Sequence, residues 1–237
     1  MSQGQPRVCV VTGASTGIGA GLVAGYRREG WSVVANSRTI APSDDPAVFA
    51  LNGDIADPAT AERIVDVAAR RFGRIDTLIN NAGMFMSKPF TEYTEQDYDH
   101  VVGVNLTGFF WLTQRVIAQM LTGGGGHVVN ITTTIVDYAH SSEPSLLTSL
   151  TKGGLAAATR SLAVEYAARG IRVNAVSPGV IRTSMNADDS YAAAGRLAPM
   201  GRVGDISDIV RGVLFLEASP FVTGEILHID GGQIAGR

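Results

Sequence analysis

The 237-residue sequence is poor in metal-binding and redox-active side chains. It has one cysteine, so an intrachain disulfide is excluded. Cys9 lies inside the apolar run VCVV at residues 8–11, where we expect a reduced, buried thiol rather than a nucleophile. The four histidines are scattered, and none forms a short ligand pair with another histidine or with the cysteine. The sequence therefore predicts neither a disulfide nor a metal site.

A large excess of one charge is also missing. The formal net charge is −3, the pI is about 5.8, and no run of five or six like charges occurs. Long apolar runs of 18 residues are absent, and MSQGQPRVCVV lacks the charged lead and apolar stretch of a signal peptide. We expect a cytoplasmic protein that binds neither nucleic acid nor a membrane.

Nothing in the sequence divides the chain into parts. No linker rich in proline, serine or charged residues is present, and no internal repeat has a period of 20 to 50 residues. With 45% apolar residues, the chain is long enough to bury a large core. We therefore expect one domain that covers residues 1–237.

Short β-branched runs alternate with helix-length segments along the sequence. The runs predict seven strands, at residues 8–11, 32–35, 47–51, 77–80, 127–132, 171–176 and 225–229. The segments between them predict helices at 17–29, 58–72, 95–121, 148–168 and 206–217, several of them closed by Gly30, Gly73, Gly123 or Gly170. Strands that are apolar on both faces require cover on both faces. The predicted fold is α/β, a doubly wound, Rossmann-type parallel sheet of seven strands with helices on both faces.

The segment TGASTGIG, residues 12–19, follows the first predicted strand directly. Gly13, Gly17 and Gly19 allow a tight turn, close approach to a pyrophosphate and the start of a helix whose positive end faces it. A glycine-rich turn without a ligand has the same local pattern. The remaining candidate residues of this loop are Ser15, Thr16 and Ile18.

The spacing of these glycines resembles that of the short-chain dehydrogenase/reductase family, and later segments match the same family in order. They are GDI at 53–55, NNAG at 80–83, VNLTG at 104–108, VVNIT at 128–132, Lys152, PGVIRT at 178–183 and VTGEILHIDGG at 222–232. This resemblance covers essentially the whole chain. It implies Asp54 and Ile55 around an adenine, Asn81, Ala82 and Gly83 beside a ribose, and Ile181 and Thr183 at a nicotinamide amide, with Pro178 and Gly179 opening that last segment.

The segment VVANSRT after the second strand bears on the choice of nucleotide. An NAD-preferring enzyme places an acid here to accept a hydrogen bond from the ribose 2′-hydroxyl, and no acid is present. Ser37 and Arg38 offer a hydroxyl and a cation, which suit a 2′-phosphate. NADP is favoured over NAD as the cofactor, and a solvated surface arginine is the alternative.

The resemblance also implies catalytic positions. In the family a tyrosine exchanges the proton on the substrate oxygen, and a lysine four residues later lowers the pKa of that tyrosine and holds the ribose. A serine orients the substrate carbonyl, and an asparagine completes a water-linked proton path. Lys152 and Asn105 match the lysine and the asparagine, and Thr133 is the best match for the serine. Thr148 stands at the tyrosine position, on the same helix face as Lys152.

An aliphatic hydroxyl is far less acidic than a phenol, so Thr148 is a poor general acid. Three interpretations follow. A water held by Thr148, Lys152 and Ser149 carries the proton; another acid, with Tyr138 the nearest phenol, has taken over; or the protein binds NADP without turnover.

Two further expectations concern the substrate and the assembly. Met84, Phe85 and Met86 follow NNAG, and a substrate lid is predicted at residues 184–201. These segments predict a mostly apolar pocket. We expect an NADP(H)-dependent oxidoreductase that interconverts a carbonyl and a secondary alcohol on a small substrate. A catalytically weak or inactive NADP-binding protein with a sensing or scaffold role is the alternative.

Relatives that resemble this chain pair the helices predicted at 95–121 and 148–168, which implies a homodimer or homotetramer.

Overall fold

The computed structural model describes residues 6–139, 143–183, 191 and 195–236. Its seven-stranded sheet is parallel throughout, as predicted. The strands of the described chain are β1 (Val8–Thr12), β2 (Ser32–Ser37), β3 (Val48–Asn52), β4 (Thr77–Asn80), β5 (Gly126–Ile131), β6 (Ile171–Pro178), β7 (Ile181–Arg182), β8 (Gly204–Asp205) and β9 (Ile226–Ile229). The order across the large sheet is β3, β2, β1, β4, β5, β6, β9. The predicted doubly wound fold is confirmed.

Helices cover both faces of this sheet because successive strand side chains point to opposite faces. Along β1, Val10 belongs to one core cluster, whereas Cys9 and Val11 belong to the other. The helices are α1 (Gly17–Arg28), α2 (Pro58–Phe72), α3 (Glu95–Val102), α4 (Gly108–Gly123), α5 (Leu146–Tyr166) and α6 (Ile206–Glu217). Helices α2, α4 and α5 pack on the first cluster, and α1 and α6 pack on the second.

The strand order places a crevice at the carboxyl ends of β1 and β4. From β1 the chain moves outward through β2 to β3, and it then returns to the other side of β1 at β4. Ligands of doubly wound sheets bind where the direction reverses in this way. The glycine loop after β1 and the NNAG segment after β4 both lie at this point.

The helix predicted at 95–121 is interrupted in the structure. A π-helical turn, Gly103–Thr107, separates α3 from α4. Gly108 closes that turn against the main chain of Ile55, where a Cβ atom would lie 2.8 Å from the Ile55 carbonyl oxygen. The helix also ends later than predicted: Gly123 is helical, and Gly124, with φ of 91°, forms the left-handed cap. Periodicity alone did not reveal the turn because the apolar spacing continues through it.

The stretch Glu95–Gly123 is also the one in the described chain that is long and apolar enough to cross a membrane, with a mean hydropathy of 1.2. Val101, Leu112, Val116 and Met120 of this stretch are buried, as in a core helix.

The region after β6 contains an element that was not predicted. Strands β7 and β8 form a separate parallel pair, with Ile181 opposite Gly204. Two-residue strands are too short to show an alternating pattern. Most of the predicted lid, residues 184–190 and 192–194, lies outside the described residues.

Candidate active site

The glycine loop and the NNAG segment are joined by hydrogen bonds around Thr12, the last residue of β1. The Thr12 hydroxyl accepts the main-chain N–H groups of Asn81 and Ala82 at 3.1 and 3.0 Å, and it donates to the carbonyl of Ile79. The Asn81 side chain donates to the carbonyls of Thr12 and Gly13 at 2.9 and 3.2 Å. Thr12 was missed as a site residue, although its place at the end of a strand that feeds the loop was visible in the sequence.

Glycine is required at two points of this loop by close packing. Gly13 has φ of 63°, and a Cβ atom there would lie 2.9 Å from the Cα of Ala82. A Cβ atom on Gly19 would lie 2.1 Å from the carbonyl oxygen of Gly13. The main chain therefore turns back on itself in the way that a pyrophosphate-binding loop requires.

Helix α1 begins without a side-chain cap. Its N-cap residue, Thr16, bonds no helix N–H, and its first turn has no acidic residue. By contrast, Asp57 caps α2, and Thr94 and Asp205 form capping boxes on α3 and α6. The first-turn N–H groups of α1, including that of Ile18, are therefore left for an anion, and they fit the diphosphate of a dinucleotide.

The turn after β2 brings the predicted nucleotide-selecting residues beside the glycine loop. The hydroxyls of Ser15 and Ser37 are 3.0 Å apart. Arg38 is exposed, and its guanidinium has no hydrogen-bond partner in the part of the chain that the structure describes. Asn36 is buried and donates to the carbonyls of Leu51 in β3 and of Gly53 just after it, which fixes the turn. Two hydroxyls and an uncompensated cation thus lie at one edge of the crevice, and they fit a phosphate.

Asp54 and Ile55 lie at the neighbouring end of β3. The Gly53 N–H donates to the Ser37 carbonyl at 3.0 Å, which joins this turn to the one after β2. The Asp54 carboxylate accepts the N–H of Ala56 at 3.0 Å. Ile55 is buried and packs against Gly108. The structure therefore brings both residues to the same edge of the crevice as Ser37.

The PGVIRT segment closes the other side of the glycine loop. Pro178 ends β6, and the next N–H, that of Gly179, donates to the carbonyl of Ile229. Thr183 lies at the glycine loop, because a Cβ atom on Gly17 would be 3.6 Å from its methyl group. The Tyr191 hydroxyl donates to the Thr183 carbonyl at 2.6 Å and accepts its N–H at 3.0 Å. Ile181 is buried in the cluster under α1 and α6.

Lys152 lies deep in the crevice between β5 and the NNAG segment. Its Nζ atom donates to the carbonyl of Ile131 at 2.7 Å, and a Cβ atom on Gly83 would lie 2.7 Å from that nitrogen. Burial lowers the pKa of the Lys152 ammonium to about 8. A buried cation thus faces the NNAG segment.

Asn105, in the π-helical turn, has its side chain fully engaged with protein groups. Its Oδ1 accepts the N–H of Met84 at 2.8 Å, and its Nδ2 donates to the Met84 carbonyl at 3.0 Å and to the Thr151 hydroxyl at 2.9 Å. The side chain predicted for a water-linked proton path therefore holds the main chain that follows NNAG.

Thr148 is likewise bound to main chain. It is 2% exposed, its hydroxyl accepts the N–H of Met86 at 3.0 Å, and it lies 3.3 Å from the Met86 carbonyl, to which it donates. Thr133 differs, since it is half-buried and its hydroxyl has no partner among the described residues. Of the two predicted threonines, Thr133 is the one with a free hydroxyl at the carboxyl end of β5.

Two further features bear on this group, the metal-binding side chains and the phenol of Tyr138. Among the described residues, no cluster of three or more histidine, cysteine, aspartate or glutamate side chains is arranged to hold a metal ion. Tyr138 is half-buried after the 3₁₀ turn Thr134–Val136, and its neighbour His140 lies outside the described residues.

Known proteins are similar to this chain in sequence and in fold over nearly their whole length. A family profile described as "Enoyl-(Acyl carrier protein) reductase" matches residues 13–233. The chain is 32% identical to the 3-oxoacyl-(acyl-carrier-protein) reductase FabG of Thermotoga maritima, over 96% of this chain and 98% of that protein. A structure of ElxO with NADP bound superposes with a TM-score of 0.90 at 27% identity, covering 97% of this chain and 99% of that one. A 3-ketoacyl-(acyl-carrier-protein) reductase from Brucella melitensis with NADH superposes with a TM-score of 0.89 at 27% identity, covering 96% and 98%. The chain therefore belongs to the short-chain dehydrogenase/reductase family.

Proposed function

We propose that this protein is a cytoplasmic, NADP(H)-dependent oxidoreductase that interconverts a carbonyl and a secondary alcohol on a small, mostly apolar substrate. The observation that carries the proposal is the buried ammonium of Lys152 beside Gly83. Burying a cation is costly, and perturbed ionisable groups in clefts are typical of functional sites. A fold that only bound a nucleotide at its phosphates would have no use for it.

The relatives support a nicotinamide cofactor. The ElxO structure holds NADP and the Brucella melitensis reductase holds NADH, so the comparison leaves the choice between the two nucleotides to this chain's own residues. Ser37 and Arg38, without an acid between the end of β2 and the following turn, favour NADP.

Each segment around the crevice has a role in this proposal. The diphosphate is held by the glycine loop, residues Gly13, Ser15, Thr16, Gly17, Ile18 and Gly19. The 2′-phosphate is held by Ser37 and Arg38, and the adenine lies against Asp54 and Ile55. The nicotinamide ribose is held by Asn81, Ala82, Gly83 and Lys152, and the nicotinamide by Pro178, Gly179, Ile181 and Thr183. The bound cofactor supplies or accepts a hydride. The chain itself positions the substrate, excludes water and provides the proton.

The substrate oxygen is expected at the free hydroxyl of Thr133, which donates a hydrogen bond to it. Phe85, which follows NNAG and is 49% exposed, and the half-buried Met86 are expected to supply apolar surface for the substrate, whereas Met84 packs against the core cluster under α2, α4 and α5. The T. maritima relative is named as a 3-oxoacyl-(acyl-carrier-protein) reductase, which supports a carbonyl as the reacting group.

A catalytically weak NADP-binding protein is the second candidate, and one observation favours it. Thr148, at the position of the family's tyrosine, is buried and engaged with Met86, so the hydroxyl predicted to help hold a proton-carrying water faces main chain instead.

A combined binding and turnover assay separates the two functions. NADPH binding is followed by fluorescence, and nicotinamide absorbance is followed with a panel of diketones, ketones and secondary alcohols. We expect NADPH-dependent reduction, fastest with diketones because they stabilise charge on oxygen. Normal NADPH binding without turnover on any compound would support the second candidate.

A further inference from the structure

The segment that follows NNAG, residues 84–88 and called the strap below, is fixed by side chains at alternate positions. Asn105 bonds both the N–H and the carbonyl of Met84, and Thr148 bonds both the N–H and the carbonyl of Met86. Further along, the Lys88 N–H donates to the Pro144 carbonyl at 2.7 Å. Thr148 therefore has the same kind of contact as Asn105, a residue that holds main chain in place.

Thr148 faces main chain and not the crevice. A threonine hydroxyl has one donor hydrogen, and the acceptor of the Thr148 hydroxyl is the Met86 carbonyl at 3.3 Å, which also accepts the Tyr93 hydroxyl at 3.2 Å. With 2% of its surface exposed, Thr148 also has little room for a bridging water.

Lys152 has hydrogens to give. Its ammonium has three N–H groups; one donates to Ile131, and the other two have no acceptor in the described part of the chain. One of these two can therefore hold the nicotinamide ribose of the proposed function while the other reaches the substrate oxygen. The nitrogen lies against Gly83 inside the crevice, and Thr133, whose hydroxyl has no partner among the described residues, follows Ile131 by two residues at the same strand end. Two phenols near the crevice, Tyr93 and Tyr191, already donate to main-chain carbonyls.

We infer that the Lys152 ammonium is the proton donor to the substrate oxygen, and that Thr148 is a positioning residue that holds the strap. This inference rests on the proposed function. In reduction, the cofactor supplies the hydride and both electrons, the substrate oxygen takes one proton from the ammonium, and Lys152 is left as a neutral amine that regains a proton from water. The product is the secondary alcohol.

The ionisation of Lys152 suits this role. Burial is the cause that lowers its pKa from 10.5 to about 8. The groups beside its nitrogen are the β5 carbonyl of Ile131 and Gly83 of NNAG, and neither is charged. An acid with a pKa close to the working pH gives up its proton most effectively.

The test compares four variants for reduction of a diketone by NADPH, with NADPH affinity measured in parallel. Lys152→Arg keeps the positive charge but holds its proton, so kcat should fall by at least about 100-fold, the scale of general acid catalysis, while NADPH still binds. Thr148→Val should lower kcat less than about tenfold, raise KM for NADPH and lower Tm, because the N–H of Met86 loses its partner and its carbonyl keeps only the Tyr93 hydroxyl. Thr148→Ser should restore Tm. Tyr138→Phe should retain turnover.

The pH profile and a direct titration complete the test. For reduction, kcat/KM should be level below the pKa of Lys152 and fall about tenfold per pH unit above it, with the same shape in Thr148→Val. The ε-carbon NMR signal of Lys152, recorded without substrate, should titrate near pH 8 and not near 10.5. Thr122→Val, which removes an exposed hydroxyl from α4, is the matched control for Tm.

Three results would overturn the inference. They are an active Lys152→Arg variant, a Tyr138→Phe variant that loses turnover, and a Thr148→Val variant that loses 100-fold in kcat with Tm unchanged. Each leaves the proposed function standing because the parent protein turns over. Absence of turnover in the parent, with NADPH bound normally, is the separate result that overturns the proposed function, and the inference falls with it.

Discussion

Arg38 is the residue on which nucleotide selection depends in the proposed function. Its guanidinium is exposed and has no partner among the described residues, and it follows Ser37, whose hydroxyl is paired with that of Ser15. A ribose 2′-phosphate would gain charge-assisted hydrogen bonds here, whereas a 2′-hydroxyl would meet a cation and no carboxylate. The difference between the two nucleotides is therefore expected to reside mainly in one side chain.

We expect tighter binding of NADPH than of NADH, and we expect Arg38→Ala to remove most of that difference. Hydrogen bonds to charged groups contribute about 1.5–3 kcal/mol, roughly a 10- to 100-fold change in Kd. Fluorescence titration of both nucleotides measures it. Arg28→Ala, at the far end of α1, is the matched control and should leave both affinities unchanged. Equal affinities in the parent protein would contradict the prediction.

At the scale of elements, the amino ends of the strands are held by a buried polar cluster around Glu217, the last residue of α6. Its carboxylate accepts hydrogen bonds from Tyr26 of α1 at 3.1 Å, Thr77 of β4 at 2.9 Å and His127 of β5 at 3.0 Å. The Arg172 guanidinium donates to the final carbonyls of α6. One side chain thus ties two helices and two strands together, at the end of the sheet opposite the cofactor crevice.

This cluster predicts a dependence of stability on pH. Burial is the main cause that lowers the pKa of His127 below 6.5, despite its hydrogen bond to Glu217, so the folded protein holds this ring neutral. As the pH falls below 6.5, the unfolded chain takes up a proton that the folded chain does not, and stability decreases. Glu217 adds a loss at lower pH: burial raises its pKa, but the hydrogen bonds from His127, Thr77 and Tyr26 lower it below 4.5 overall.

We therefore expect Tm to fall between pH 6.5 and 5 in the parent protein, and to fall less over this range in His127→Asn. Asparagine keeps an N–H donor for Glu217 and does not titrate. Circular dichroism melts at a series of pH values measure the slope. His228→Asn is the control, because its ring lies at the half-exposed surface beside Asp137. Parallel slopes in the parent protein and His127→Asn would show that His127 does not set the acid sensitivity.

At the scale of the whole molecule, α4 and α5 present apolar side chains away from the sheet. Phe110 and Leu150 are each about half exposed, at 54% and 55%. A groove of about 420 Å³ lies between the two helices, lined by Leu106, Thr107, Phe109, Phe110, Trp111, Gly154 and Ala158. Exposed apolar surface of this kind is typical of an interface between subunits, and it supports the proposed homodimer or homotetramer.

Light scattering at micromolar concentration is expected to give a mass of two or four chains of 24.9 kDa. Phe110→Glu should shift the mass toward the monomer because it places a charge in the apolar groove. Phe90→Glu makes the same change at an exposed phenylalanine on another surface, and it should leave the mass unchanged. A monomeric parent protein would refute the proposed assembly.

The sequence by itself determined the fold and the edge at which the cofactor crevice lies. Apolar runs such as VCVV alternate with amphipathic segments, and these local periods decide strand or helix before any distant contact forms. Gly13 and Gly19 are also local requirements of the turn after β1, so they were predicted from spacing. Ser37 and Arg38 stay predictions for nucleotide selection, and they were predicted because they directly follow the apolar run of β2.

The tertiary structure alone decided what the polar side chains contact. The Thr148 hydroxyl is bound to Met86, 62 residues earlier in the chain, and the Glu217 carboxylate is bound to Tyr26, 191 residues earlier. The sequence shows which atoms are able to form hydrogen bonds. The partner of each atom depends on tertiary packing, which decides which groups come within about 3 Å of it. The sequence therefore predicted Thr148 at the tyrosine position, whereas the contact of Thr148 with the strap forms only when α5 packs against the segment that follows β4.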